Sequence, residues 1–305
     1  MSIAKTGNWN DRMLGLAIVL SLAVVVLSAY LRISAAGLGC ADWPACYARL
    51  DAVQEGATGP ARALHRATAS TVALIAIGYL LVALRRRRDR IAAAALVTLT
   101  ALLAVVGLHT PSPLEPWVTL VNVAGGMALL GLYGWLWLRP ETPARGAWNA
   151  RRLAAALGVG VVYAQIALGA WASAHYAEPA CPGLLCPGEV ATASIADAFD
   201  PARRLTATEG RIQVDDASVL VQRAHRLGAF ITFLYVCMLV LYEPARTGMS
   251  RHAGLAVLAL LLAQAALGVG ASLSNYPMWA AIGHNALAAI LLLAVVRLYH
   301  VYARD

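Results

Sequence analysis

Gln222-Arg223-Ala224-His225-Arg226 opens directly into Leu-Gly-Ala-Phe-Ile-Thr-Phe-Leu-Tyr-Val-Cys-Met-Leu-Val-Leu over residues 227–241, a run without one charged side chain. A run of this kind reads as a helix that crosses a bilayer. A histidine at its entrance is costly to bury unless it is paired, hydrogen-bonded or placed on a metal. A second histidine, His284, stands just inside another apolar run over residues 279–296. Two imidazoles so placed can clamp one metal.

Working outward, the same arrangement occurs earlier in the chain. Ala63-Leu64-His65-Arg66 leads into the apolar residues 67–84, and Asn122 stands where the later half has His284. His65 precedes Asn122 by 57 residues and His225 precedes His284 by 59. That near-equality indicates an internal duplication. Leu27-Ser28-Ala29-Tyr30-Leu31-Arg32 can be set against Leu168-Gly169-Ala170-Trp171-Ala172-Ser173, and Val106-Gly107 against Val269-Gly270.

Composition fixes the class. Of 305 residues 60% are hydrophobic and only 13% charged, and a soluble chain of this length could not bury so many all-apolar helices. Eight apolar stretches approach or exceed the roughly 20 residues that span the hydrocarbon core. The expectation is an all-α integral membrane protein with eight transmembrane helices arranged as two pseudo-symmetric four-helix bundles, residues 1–142 and 143–305. The first run, about residues 13–33, has no small-residue cleavage exit and reads as a retained helix. The net charge of +8 comes from arginines in short loops, so it reports topology and contact with lipid headgroups, and nucleic acid is excluded as a partner.

Arg85, Arg86, Arg87, Arg88 and Arg90, then Arg139, Arg145, Arg151 and Arg152, then Arg246 and Arg251 fall on one side, which the positive-inside rule makes cytoplasmic together with both termini. The opposite face receives residues 34–59, 110–117 and 174–218 and a turn at Asn275-Tyr276-Pro277. All four loop cysteines lie on that face, in a compartment where disulfides persist. The expected bridges are Cys40 with Cys46 and Cys181 with Cys186, although four cysteines permit three connectivities. Cys237, within an apolar helix, reads as a small packed side chain. Trp43, Trp117, Trp171 and Trp279 fall near outer helix ends, as interfacial anchors do.

Among the seven histidines, His252 and His300 are expected at the cytoplasmic surface and His175 at the surface of an outer loop. His65, His225 and His284 each mark the outer end of an apolar helix, the last two about one turn inside. Two neutral imidazoles on facing helices of one bundle give a haem iron its two axial ligands; the bland alternative for either is a core histidine bonded across helices. Arg66 and Arg226, and with them Arg32 and Arg223, can meet haem propionates or snorkel to headgroups. In the first half Asn122 is a poor iron ligand, and His109 is a possible substitute. That pocket takes a haem by one ligand, loosely, or not at all.

Taken together, the loop Gly39-Cys40-Ala41-Asp42-Trp43-Pro44-Ala45-Cys46, His65-Arg66, His225-Arg226, and His284 after Asn275-Tyr276-Pro277-Met278-Trp279 resemble the haem A synthase family of cytochrome oxidase assembly proteins. The resemblance implies haem b held by His225 and His284. It also implies a first half that receives haem O as substrate and oxidises its ring methyl to the formyl of haem A, with a histidine pair and a carboxylate one turn before the first histidine. His65 keeps the first position. Asn122 replaces the second histidine and Arg62 the carboxylate; an arginine stays protonated and cannot act as a general base. Asp42 is the loop carboxylate that can substitute. The first cysteine pair resembles a redox-sensitive disulfide. Implied partners are haem O synthase, cytochrome oxidase assembly factors and a redox donor, in the bacterial cytoplasmic (inner) membrane with the haem site toward the outer face. Asn122 and Arg62 favour an alternative, a non-catalytic haem-b-binding assembly or electron-transfer protein. A secondary transporter needs a midplane site, whereas the polar candidates crowd toward one face.

Overall fold

Inside lipid a backbone N–H or C=O finds no water, so uninterrupted runs of Leu, Val, Ile and Ala must satisfy their own hydrogen bonds as helices. The computed structural model describes residues 9–35, 55–108, 114–139, 149–178, 181, 183, 186, 193–209, 211–241 and 248–303. In chain order the elements are α1 (Trp9–Ala35), α2 (Glu55–Arg86), α3 (Arg90–Gly107), α4 (Pro116–Leu138), α5 (Ala150–Ala174), the single turn α6 (Ile195–Ala198), a hairpin of β1 (Ala207–Thr208) and β2 (Arg211–Ile212), α7 (Asp216–Leu241), α8 (Gly248–Leu273) and α9 (Met278–Tyr302). Eight of the helices, all but α6, are long and apolar enough to cross a membrane. The chain is a multi-pass all-α membrane protein.

Polar residues set the helix ends. Asn149 accepts a hydrogen bond from the Arg152 N–H at 2.8 Å and starts α5, while Asp215 accepts from the Ser218 N–H at 3.1 Å and starts α7. The Asp215 cap begins α7 earlier than the apolar run alone indicates, so His225 lies about two and a half turns inside the helix rather than one. Arg87 and Asp89, at φ of 53° and 65°, make the sharp turn between α2 and α3. Asp89 then pairs with Arg139 beyond α4 and accepts from the Tyr79 hydroxyl at 3.3 Å, which fastens that turn to its neighbours.

Helices α1, α2, α3 and α4 touch in a closed ring, and so do α5, α7, α8 and α9. The two sets meet where α1 and α4 pack on α5 and α9. Buried Met127, Leu130, Val162, Leu292 and Val295 fill that seam. Hydroxyls and amides bond across it and within each ring, as polar groups do between membrane helices: Tyr163 donates to the Ala124 carbonyl at 3.0 Å, Tyr235 to Ala154 at 2.8 Å, and Asn285 to Val25 at 3.4 Å. Outward-facing Leu74, Ile91, Phe230 and Leu273 remain exposed, as suits helices of membrane-spanning length and composition.

The segment between α5 and α7 ties the two sets together at one end, called here the loop end. Leu205 N–H donates to the Leu114 carbonyl at 2.9 Å, and Arg204 pairs with Glu115 at 2.8 Å. Leu205 and Ile212 bury against Ala29 and Ile33 of α1. Three surface expectations are corrected, the first two by this packing. His175 is wholly buried and Trp171 nearly so, its Nε1 donating to the Ala198 carbonyl at 2.9 Å, because α6 and the start of α7 cover them. His300, at the opposite end, is buried beside Trp135 and Tyr299.

Candidate functional site

His225 on α7 and His284 on α9 occupy helices at opposite corners of their ring. Among the described residues α7 and α9 do not pack on each other, whereas each packs on both α5 and α8. Both imidazoles are half-buried.

Each ring rests on a glycine and faces a glutamine. A Cβ added to Gly169 of α5 would stand 2.9 Å from Cε1 of His225, and one added to Gly268 of α8 would stand 2.9 Å from Cε1 of His284. One turn earlier on the same two helices, the amide nitrogen of Gln165 lies 2.9 Å from Nδ1 of His225 and donates to the His225 carbonyl at 3.0 Å. The amide nitrogen of Gln264 lies 3.1 Å from Nε2 of His284. Gly228, one turn beyond His225, leaves room for the Gln165 side chain. Of these supporting residues Gln165, Gly169, Gln264 and Gly268 are absent from the sequence-based candidates. Their signal was present as Gln165-Ile166-Ala167-Leu168-Gly169 and Gln264-Ala265-Ala266-Leu267-Gly268, one pattern on two helices.

The donor set suits a flat iron macrocycle. Each ring has one nitrogen facing a glutamine and one that does not; on His284 the latter, Nδ1, is buried without a hydrogen-bond partner among the described residues. A buried nitrogen left so is costly unless something binds it. No group of three or more His, Cys, Asp or Glu gathers among the described residues, and an iron already held by four ring nitrogens needs only two axial imidazoles. The glycines remove side-chain bulk where the rings seat.

Arg226 follows His225 and is engaged with protein. It donates to the carbonyls of Gly183 at 2.7 Å and Cys181 at 2.8 Å, and to the hydroxyls of Tyr276 at 3.2 Å and Ser272 at 3.3 Å. Arg223 donates to the Cys186 carbonyl at 3.1 Å. Cys181 and Cys186 are joined as a disulfide with their Cα atoms 4.4 Å apart. Gly183 between them takes φ of 65°, which suits a residue without Cβ. Arg32 donates to Ser173, joining α1 to α5. Asn275 and Tyr276, at φ of 56° and 53°, form the turn before Pro277 and α9.

In the first set, His65 on α2 and Asn122 on α4 are both half-buried, and α2 and α4 again stand at opposite corners. The His65 ring makes no hydrogen bond among the described residues. Arg62 and Arg66 are exposed. Cys40, Asp42, Trp43, Cys46 and His109 lie outside the described residues.

Comparison with known proteins agrees along most of the chain. The family model COX15-CtaA, described as cytochrome oxidase assembly protein, matches residues 62–296. A heme A synthase of Shewanella oneidensis is 29% identical over 310 residues, spanning 93% of this chain and 94% of that protein. A heme A synthase of Methylobacterium radiotolerans is 42% identical over 84 residues, 27% of this chain and 23% of that protein.

Proposed function

The chain belongs to the COX15-CtaA family of cytochrome oxidase assembly proteins, and from that membership we propose that it oxidises the ring methyl of haem O to the formyl of haem A beside a resident haem b. The observation that carries the haem b half is the pair His225 and His284, each seated on a glycine and faced by a glutamine at the loop end of one helix ring. His225 and His284 would be the axial ligands. When bound between them, the haem supplies one-electron transfer.

The remaining roles fall to this chain's own residues. Arg226 and Arg223 hold the Cys181–Cys186 disulfide against α7, and an arginine with several donors can add a propionate without leaving that duty. His65 is the first-half residue that contacts the substrate haem, with Arg66 near its carboxylates. Cys40 and Cys46 form the redox-sensitive bridge of the first loop. The two rings of helices are duplicated halves, residues 1–142 and 143–305, related by a pseudo-two-fold axis. On the positive-inside rule the arginine-rich helix ends support a topology with both termini in the cytoplasm and the histidine pair toward the outer face of the inner membrane. Haem O synthase, oxidase assembly factors and an electron donor are the partners this reading requires.

Asn122 and the exposed Arg62 favour a second reading, a haem-b-binding assembly or electron-transfer protein without hydroxylase chemistry. Mass analysis of haem extracted from protein co-expressed with a haem O source separates the two. Haem A or its alcohol precursor beside haem b supports the synthase. Haem b alone, with haem O available, supports the second reading.

A further inference from the structure

Resting on the reading that His225 and His284 ligate a haem, we propose that Gln165 and Gln264 are positioning residues that set the charge donation of the two axial imidazoles, and that Gly169 and Gly268 fix the planes in which those imidazoles lie. The geometry is repeated. On α5 and on α8 a glutamine and a glycine four residues later face the same histidine, one through its amide and the other by admitting Cε1 to a place where a Cβ would stand at 2.9 Å. One such contact is ordinary helix packing; the same pair on two helices, each serving a different candidate ligand, is a built arrangement.

The chemistry follows from where the ring proton must be. An imidazole bound to iron through one nitrogen carries its N–H on the other, and that N–H requires an acceptor. The amide nitrogens of Gln165 and Gln264 face the rings, and the Gln165 nitrogen also donates to the His225 carbonyl. On ligation each carboxamide flips to present its oxygen to the ring N–H, and at Gln165 that bond replaces the one to the carbonyl. The acceptor makes the ring a stronger donor to the metal, which favours the oxidised iron and lowers the reduction potential. A hydrocarbon in its place withdraws that support, and a carboxylate strengthens it.

The first half lacks this arrangement. Setting Leu27-Ser28 against Leu168-Gly169, and Val106-Gly107 against Val269-Gly270, places Val24 and Ser28, then Ala101 and Val105, at the four corresponding positions. A haem beside His65 is therefore held by other means, as befits a substrate that must leave.

The test uses the full chain purified in detergent from a haem-proficient host, with Gln→Leu and Gln→Glu at each of 165 and 264, and Gly169→Ala and Gly268→Ala. Haem per protein is counted as the pyridine haemochrome, the midpoint potential is titrated optically, and the low-spin g-values are recorded by electron paramagnetic resonance. The Leu variants are expected to raise the potential and the Glu variants to lower it, each by at least tenfold in the reduction equilibrium, about 59 mV for one electron, at unchanged haem content. The Ala variants are expected to shift the g-values, which read the angle between the imidazole planes. Should a Leu variant fail to fold, the near-isosteric Glu variant carries the same test. Potentials within twofold of the parent in the loaded Glu variants overturn the inference, and so do unchanged g-values in both Ala variants. If His225→Ala and His284→Ala keep the haem of the parent protein, the ligation reading itself fails; if they lose it while the Gln and Gly variants show no shift, only this inference fails.

Discussion

Arg226 donates to the backbone carbonyl of Cys181 at 2.8 Å, so the residue next to His225 is also the clasp of the Cys181–Cys186 disulfide. The same guanidinium reaches Gly183, Ser272 and Tyr276. Helix α7, the Cys181–Cys186 disulfide and the turn before α9 are thereby one unit at the loop end.

Arg226→Lys should loosen that unit. An ammonium is a compact point charge that cannot reproduce a planar fork reaching four acceptors, and each charge-assisted bond lost is worth about 1.5–3 kcal/mol. The expected outcome is roughly tenfold faster reduction of the disulfide, read by mass spectrometry of alkylated Cys181 and Cys186 after timed exposure to a reductant. An unchanged rate would show that the disulfide is held by other contacts.

Asp215→Ala should cost about 1 kcal/mol by removing the cap of α7. Its carboxylate accepts from both the Ser218 N–H and hydroxyl at 3.1 Å. Thermal unfolding in detergent checks this, and Asp215→Asn, which preserves an acceptor, should retain most of the stability.

Cys40→Ser should leave haem b bound, because that cysteine belongs to the first half and the histidine pair to the second, while lowering assembly or conversion of haem O. Haem counting alongside mass analysis reads both effects. Loss of all haem would contradict the separation of the halves.

Acid should destabilise the loop end through His175. Its ring is wholly buried, with Nδ1 donating to the Trp171 carbonyl at 2.9 Å. Burial lowers its pKa below that of free imidazole; the Trp171 bond works the other way, nearby Arg203 adds to the lowering and Asp215 opposes it. Below about pH 6.5 the unfolded chain takes up a proton there and the folded chain does not, so stability present above that pH is lost as pH falls. The unfolding midpoint should drop between about pH 7 and pH 5, and His175→Gln, which does not titrate in this range, should flatten the slope. An equal slope in the variant would place the sensitivity elsewhere.

The eight membrane helices were legible because length and lack of charge decide a membrane span residue by residue. His225 and His284 were legible for the same reason, as ionisable groups inside such spans. Their supports were not. A glutamine or a glycine within an apolar helix is a common helix-packing residue, and only the partner across the bundle shows that Gln165 and Gln264 face histidines. His175 and Trp171 read as surface groups because their cover, α6 and the start of α7, comes from over twenty residues further along the chain. The early start of α7 was hidden in Asp215, which as a lone letter is one acidic loop residue among several.

The most direct measurement is the haem content and low-spin spectrum of the purified full-length protein beside His225→Ala and His284→Ala. A bis-imidazole low-spin haem b is expected in the parent and its loss in each variant. The same spectrum, at the same haem content, in both variants would contradict that ligation.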